Sequence, residues 1–321
     1  MRLNLPILDA LANHNSQNIL IAGAGGGFDI FAGLPLYFTL REMGKTVHLA
    51  NYSFSEIQMV CLFEDVETLI PQQLIGAHGL VKHKTPYYPE GFLAEWFCTE
   101  RGEEITIWMF AKLGVAPLMT AYQRLIERLN IDAIILVDGG VDSLMRGDED
   151  QPGTLLEDTI SLAAVEGLKV PVKLLACLGF GSETEVAHYH ALNNMAELVK
   201  QGAFRGSCAL IQTMPVFHLY QSACEYVWGQ PGHLKSHIST RVIAAVQGSF
   251  GDHRLEGDAA NTAALVSPLM SLYWFFDAVS VFQRSLIADK LRTSETIRDA
   301  LQIMALYRSH FQIRRRQKLP Y

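Results

Sequence analysis

The stretch Asn18-Ile19-Leu20-Ile21-Ala22-Gly23-Ala24-Gly25-Gly26-Gly27-Phe28-Asp29 decides the fold. Asn18–Ala22 is an unbroken β-prone run, and four glycines follow within five residues. A strand that is continuously apolar, rather than alternating, is buried on both faces, as in a parallel sheet covered by helices. Working outward, the same order recurs: an apolar run, a turn bearing Gly or Asp, then an amphipathic stretch. Thr46–Ala50 follows a helical segment closed at Gly44, where a C-cap glycine belongs. Ile105–Phe110 precedes a predicted helix over 116–129. Ala133–Val137 precedes Asp138-Gly139-Gly140 and a helix over Leu155–Glu166. Val172–Cys177 precedes Leu178-Gly179-Phe180-Gly181-Ser182-Glu183 and a long helix to Lys200. Ala209–Gln212 and Ala263–Val266 read as a sixth and a seventh strand. This alternation predicts a doubly wound, mostly parallel α/β sheet of Rossmann-like type. It forms one domain over residues 1–321, with a helix-rich C-terminal elaboration over 215–321 that joins the sheet or caps it.

Composition narrows the classes. The 321 residues are 49% hydrophobic and 18% charged, values of a folded chain rather than a disordered or collagen-like one. A net charge of −7 argues against nucleic acid as a partner. Five scattered cysteines without a CxxC pair fit a reducing compartment. The N-terminal segment lacks the apolar core of a signal peptide. The 14 residues from Ala263 to Phe276, interrupted by Pro268 and closed by Asp277, are short of the ~20 needed to span a bilayer. They read as a buried strand running into a core helix, and the expected location is cytoplasmic. The aromatic residues Tyr273, Trp274, Phe275, Phe276 and Phe282 exceed what one helical layer needs, so either a two-fold homodimer covers part of them or the segment is a central strand and core helix buried wholly within the monomer.

In such a sheet the βα loops share the carboxyl edge, where ligands bind. Three of these loops stand out. Gly25, Gly26 and Gly27 leave backbone N–H groups free to face an anion, with Asp29 at the following helix start. The loop fails the dinucleotide fingerprint, because Phe28 occupies the third glycine position and Asn51 stands where a ribose-binding acid is expected. Gly44-Lys45-Thr46 fails as a phosphate-binding P-loop, because Thr39 replaces the first glycine. The second loop runs from Asp138, Gly139, Gly140, Asp142 and Ser143 to Arg146, with a further acidic run at Asp148-Glu149-Asp150. The third offers Gly181, Ser182 and Glu183. Clustered carboxylates repel unless solvated or bridged by hydroxyls or a cation, so Asp138 and Asp142 are candidate ligands for Mg or Ca. Asp148–Asp150 read either as part of the site or as a solvated loop, and the basic tail Arg314–Lys318 as a solvated terminus. Ser182, with Glu185 at capping-box spacing, suits a helix N-cap. His233 and His237 have the spacing of one helix face, but Leu234 stands where a zincin needs its Glu, so they read as capping or surface residues, and of His188 and His190 at most one can face the site.

The second loop resembles the calcium-and-ribose loop of nucleoside hydrolases. It also resembles the pyrophosphate loop of ATP pyrophosphatases, S-G-G-x-D-S, with Asp138 in place of the first serine. Over most of its length the chain resembles the uncharacterised family called domain of unknown function 1152. That likeness rests on Gly25-Gly26-Gly27-Phe28-Asp29 and on Val137-Asp138-Gly139-Gly140-Val141-Asp142. The resemblance implies an α/β fold and no activity.

The residues point to an enzyme that hydrolyses, or transfers a group of, a small anionic metabolite of nucleotide, nucleoside or sugar-phosphate type. Asp29, Asp138 and Asp142 are its candidate catalytic groups. A non-catalytic nucleotide sensor is the alternative.

Overall fold

The computed structural model describes residues 2–83, 87–253 and 264–319. Its strands are β1 (Asn18–Gly23), β2 (Thr46–Tyr52), β3 (Val66–Ile70), β4 (Leu74–Ala77), β5 (Ile107–Phe110), β6 (Ala133–Asp138), β7 (Val172–Leu178), β8 (Phe204–Ala209), β9 (Gly251–His253), β10 (Ala264–Val266) and β11 (Leu272–Asp277). Helices α1 (Leu8–Asn13), α2 (Asp29–Ala32), α3 (Leu34–Glu42), α4 (Ile57–Phe63), α5 (Pro89–Arg101) and α6 (Val115–Leu129) occupy the first half. The second half holds α7 (Leu155–Glu166), α8 (His188–Lys200), α9 (Pro215–Trp228), α10 (His237–Val246), α11 (Ala278–Arg284) and α12 (Ile297–Arg308).

Nine strands form one sheet in the order β3-β4-β5-β2-β1-β6-β7-β11-β8. From β5 to β7 every pairing is parallel. The order reverses between β1 and β6, so the carboxyl ends of these two strands flank the crevice where doubly wound sheets bind ligands.

The apolar runs explain the layering. Along β1, Ile19 and Ile21 pack into one core with α3, α5 and α9, while Leu20 and Ala22 pack into the other with α6 and α7. On β6, Ile135 and Val137 face the first core and Ile134 and Leu136 the second. Every one of these side chains is inaccessible to solvent, so each strand feeds two cores.

Three expectations are corrected here. The sixth strand is Phe204–Ala209, not 209–212, because the chain turns away after Ala209 toward α9. Ala263 lies outside the described residues, and Ala264–Val266 pairs with β9 in a separate two-stranded sheet. Most consequentially, the run ending at Phe276 does not close in a helix. Leu272–Asp277 is a strand wedged antiparallel between β7 and β8. Tyr273, Phe275 and Phe276 are therefore buried in the chain's own sheet, Phe282 is buried beside it, and Trp274 is half-buried. The aromatic residues that motivated a dimer consequently supply no open apolar face.

The edge hairpin β3–β4 has no counterpart in the sequence reading. From Pro215 on, α9 packs on α3 and α5, whereas α11 and α12 pack on α7. The C-terminal third thus contributes to the sheet and both helical layers. No helix of the described residues is long and apolar enough to cross a membrane.

Candidate functional site

The three unusual loops meet where the topology predicts. Ala24 N–H donates to the Val137 carbonyl at 2.9 Å, drawing the first loop against the end of β6. Ser161 of α7 holds the same loop from below, donating its hydroxyl to the Ala24 carbonyl at 2.7 Å. Asp29 then ties two loops together. Its Oδ2 accepts from Gly25 N–H at 2.6 Å and its Oδ1 from Gly139 N–H at 3.1 Å. The amide of Gly25, expected to face an anion, is therefore committed to the chain's own carboxylate. Gly25 is required for space rather than for φ: a Cβ there would lie 2.7 Å from Asp158 Oδ2 and 2.9 Å from Asp29 Oδ2. Gly26 is required for both reasons, with φ +94° and the Phe54 ring 2.4 Å from any Cβ.

Asp138 ends β6 and its Oδ2 accepts from the Ser143 amide at 3.2 Å and from the Ser143 hydroxyl. Asp142 opens a short 3-10 turn, and its Oδ2 accepts from Thr154 N–H and Oγ1–H, each at 2.8 Å. Glu183 reaches back from the third loop to accept from Val141 N–H at 2.7 Å, and the Asp142 charge bears on its carboxyl. The fifth acid, Asp158 in α7, is 1% exposed, and its Oδ1 has no hydrogen-bond partner.

Burial pushes every one of these acids upward. Asp29 rises to about 7 through burial and then the Asp142 charge. Asp138, Asp158 and Glu183 lie well above the carboxylate range, from burial first and mutual repulsion second, while burial raises Asp142 against its Thr154 hydrogen bonds. Nearby Cys177 is fully buried beside Ser143, and burial with the Asp138 charge pushes its thiol well up. It is held as a thiol and not as a nucleophilic thiolate.

These acids floor a cleft of about 510 Å³. One wall is aromatic, with Phe28, Phe54 and Tyr87. Lys112 Nζ stands 4.7 Å from the centre of the Phe54 ring, and His233 stacks on Tyr87 at 5.6 Å. Another wall is the segment from Gly232 through Lys235 to the start of α10, where Ser236 caps the helix by accepting from Ser239 N–H. The cleft is therefore acidic below, aromatic on one side, and on another carries Lys235 and the positive end of a helix dipole.

Of the residues singled out in the sequence, Gly25, Gly26, Gly27, Asp29, Asp138, Gly139, Asp142, Glu183 and His237 line this cleft. The loop candidates Gly140, Ser143, Arg146, Gly181 and Ser182 do not. Ser143 props Asp138 from behind, and Gly140, at φ +150°, makes room for the Glu183 carboxyl. Gly181 lies against Met270 and His188. Ser182 caps nothing: α8 begins at His188, the Ser182 hydroxyl is buried without a partner, and its carbonyl accepts from Arg241. Arg146 donates its amide to Glu149 and lies outside the cleft.

Asp148–Asp150 is not a solvated run, and the basic tail is not free. Glu149 is fully buried and accepts from Arg146 and Gly147 amides, Asn194 Nδ2 and Arg314 Nη2, the last at 2.5 Å. Arg314 also pairs with Asp148, and Arg316 N–H donates to Asp150. His233 and His237 do not share a helix, since α10 begins at His237. His233 instead accepts from Tyr88 N–H at 2.9 Å, which fixes Tyr87 beside the cleft. His188 meets the Glu183 carbonyl, and His190 meets that of Arg315.

Sequence reasoning also missed the support beneath the glycines. Asn51 donates to the Gly27 carbonyl at 3.0 Å and to Glu90 at 2.8 Å, and Glu90 is completely buried. The asparagine that replaces a ribose-binding acid thus holds the first loop.

The family described as Protein of unknown function (DUF1152) matches residues 99–308, well over half of the chain. The chain belongs to this family. No curated protein and no solved structure matches it. The part that matches the DUF1152 family contributes Asp138, Asp142, Asp158 and Glu183, whereas Asp29 and its glycines precede it.

Crowding around Gly25 gives a first test. Gly25→Ala places a methyl group between Asp29 and Asp158 without backbone strain. It is expected to remove thermal stabilisation by any cleft ligand while the protein still unfolds cooperatively. Undiminished stabilisation in that variant would show that the ligand binds away from the carboxylates.

Proposed function

We propose that the chain is an enzyme that hydrolyses, or transfers a group of, a nucleotide, nucleoside or sugar-phosphate-like metabolite bound in the β1/β6 cleft. The observation that carries this reading is the convergence of Asp29, Asp138, Asp142, Asp158 and Glu183 at the switch point of the sheet, between an aromatic wall and a positively polarised helix end. Phe54 and Tyr87 suit a planar ring, the carboxylates suit sugar hydroxyls, and Lys235 with the α10 N-terminus suits the anionic part.

Asp142 and Glu183, both lining the cleft, supply the acid–base chemistry. Asp142 takes a proton from the attacking water or acceptor hydroxyl as its oxygen bonds to the electrophilic centre. Glu183 gives its proton to the departing oxygen or nitrogen as that bond breaks. Thr154 and the Val141 amide keep the two carboxyls oriented.

The test is turnover of a panel of nucleotides, nucleosides and sugar phosphates, followed by release of phosphate or base. Asp142→Asn is expected to reduce the rate by about 10²–10⁴-fold. Binding without turnover would make the chain a metabolite sensor. Neither binding nor turnover across the panel would overturn the reading of the cleft.

A further inference from the structure

We propose that Asp29, Asp138 and Asp158 together hold one hard divalent cation of the Mg²⁺ class, with its remaining coordination positions open to the cleft. This deepens the proposed function by naming a cofactor, but it rests on the carboxylates alone.

One carboxylate oxygen from each of the three residues lies within 4.8 Å of the others. Oxygens on opposite sides of a Mg²⁺ ion bound at 2.0–2.1 Å are about 4.2 Å apart, so the cradle closes on such an ion with small side-chain movement. The independent observation is Asp158 Oδ1, an oxygen of a side chain that is 1% exposed, lines the cleft and has no donor. Leaving a buried carboxylate oxygen unmatched is costly unless something outside the chain completes it. The charged groups acting on Asp158 are themselves acids, namely Asp142, Asp138, Asp29 and Glu183. What is missing is a cation.

The donor set selects its class. All three donors are carboxylate oxygens, which favour Mg²⁺, Mn²⁺ or Ca²⁺ over softer metals. Cys177 is turned into the Ser143 hydrogen bond. Three protein ligands suit an ion that keeps several waters, as Mg²⁺ does, better than Ca²⁺ with its six to eight oxygens. The sequence pairs Asp138 with Asp142 as metal ligands. The geometry replaces Asp142 by Asp29 and Asp158, because it is their oxygens that converge with that of Asp138.

The test is titration of the chelator-treated full chain with Mn²⁺, following free Mn²⁺ by electron paramagnetic resonance. One Mn²⁺ per chain, displaced by Mg²⁺, is expected. Asp158→Asn should weaken binding at least tenfold with an unchanged circular dichroism spectrum, because no hydrogen bond to its Oδ1 is lost. Absence of stoichiometric Mn²⁺ binding to the wild type at millimolar concentration overturns the proposal, whatever the variants do. So does wild-type affinity in folded Asp158→Asn. The two readings fail separately: metabolite turnover without stoichiometric Mn²⁺ binding would refute the cation and keep the enzyme, and tight Mn²⁺ binding without any metabolite response would do the reverse.

Discussion

Asp138→Asn is expected to lower turnover on the order of 10²-fold or more while the melting temperature stays level or rises by about 2–4 °C. Both halves follow from the same geometry. The amide oxygen of asparagine can still accept from the Ser143 amide and hydroxyl, so the local scaffold keeps its hydrogen bonds. What disappears is one ionisable carboxyl from a buried group in which Asp29, Asp142, Asp158 and Glu183 already crowd one another. Repulsion of this kind is tolerated where a ligand offsets it, and removing it stabilises the ligand-free fold. Calorimetry in the presence of chelator, run beside the activity assay, separates the two effects. A fall of many degrees would instead make Asp138 a structural acceptor and remove it from the site.

The second large effect lies outside the cleft. Glu149→Ala is expected to cost about 3–5 kcal/mol, because it takes the buried acceptor away from the Arg146 and Gly147 amides and Asn194 Nδ2 and leaves Arg314 to pair with Asp148. Glu149→Gln, which keeps an acceptor but not the charge, should fall between. Urea unfolding followed by circular dichroism measures both. A loss below about 1 kcal/mol would show that water reaches the donors once the carboxylate is gone.

These residues also show what could be read in the sequence. The parallel centre was legible because its strands are unbroken apolar runs followed by glycine, and that signature reflects burial on two faces. Asp29, Asp138, Asp142 and Glu183 were legible for a related reason: each sits just past such a strand, at the edge where ligands bind. Asp158 was not, because a residue one turn into a helix has no loop to advertise it. The one clue was an ionisable side chain among Leu155, Leu156 and Ile160, on a helix buried nearly all round. Ser143, Arg146, Gly181 and Ser182 erred in the opposite direction: nearness along the chain does not decide which way a side chain faces. Glu149 and Arg314 lie 165 residues apart, and nothing local distinguishes that acid from one in water. The β3–β4 hairpin escaped because its strands are short and only β4 is fully buried.

The late strand β11 has a consequence for how the molecule is made. β7 ends at Leu178 and β8 at Ala209, yet neither pairs with the other, because each bonds to β11. During synthesis both must therefore wait with an unpaired edge until Leu272–Asp277 emerges. A newly made chain passes through a stage in which two strands of the sheet lack their shared neighbour, and such edges invite pairing with other chains. Closing that gap joins segments far apart in sequence, a slow step for any sheet. A ribosome-bound fragment ending before residue 272 should accordingly hold the β1–β6 crevice half of the sheet while depending on chaperones for the other. Adding the β11 segment would be the event that releases it.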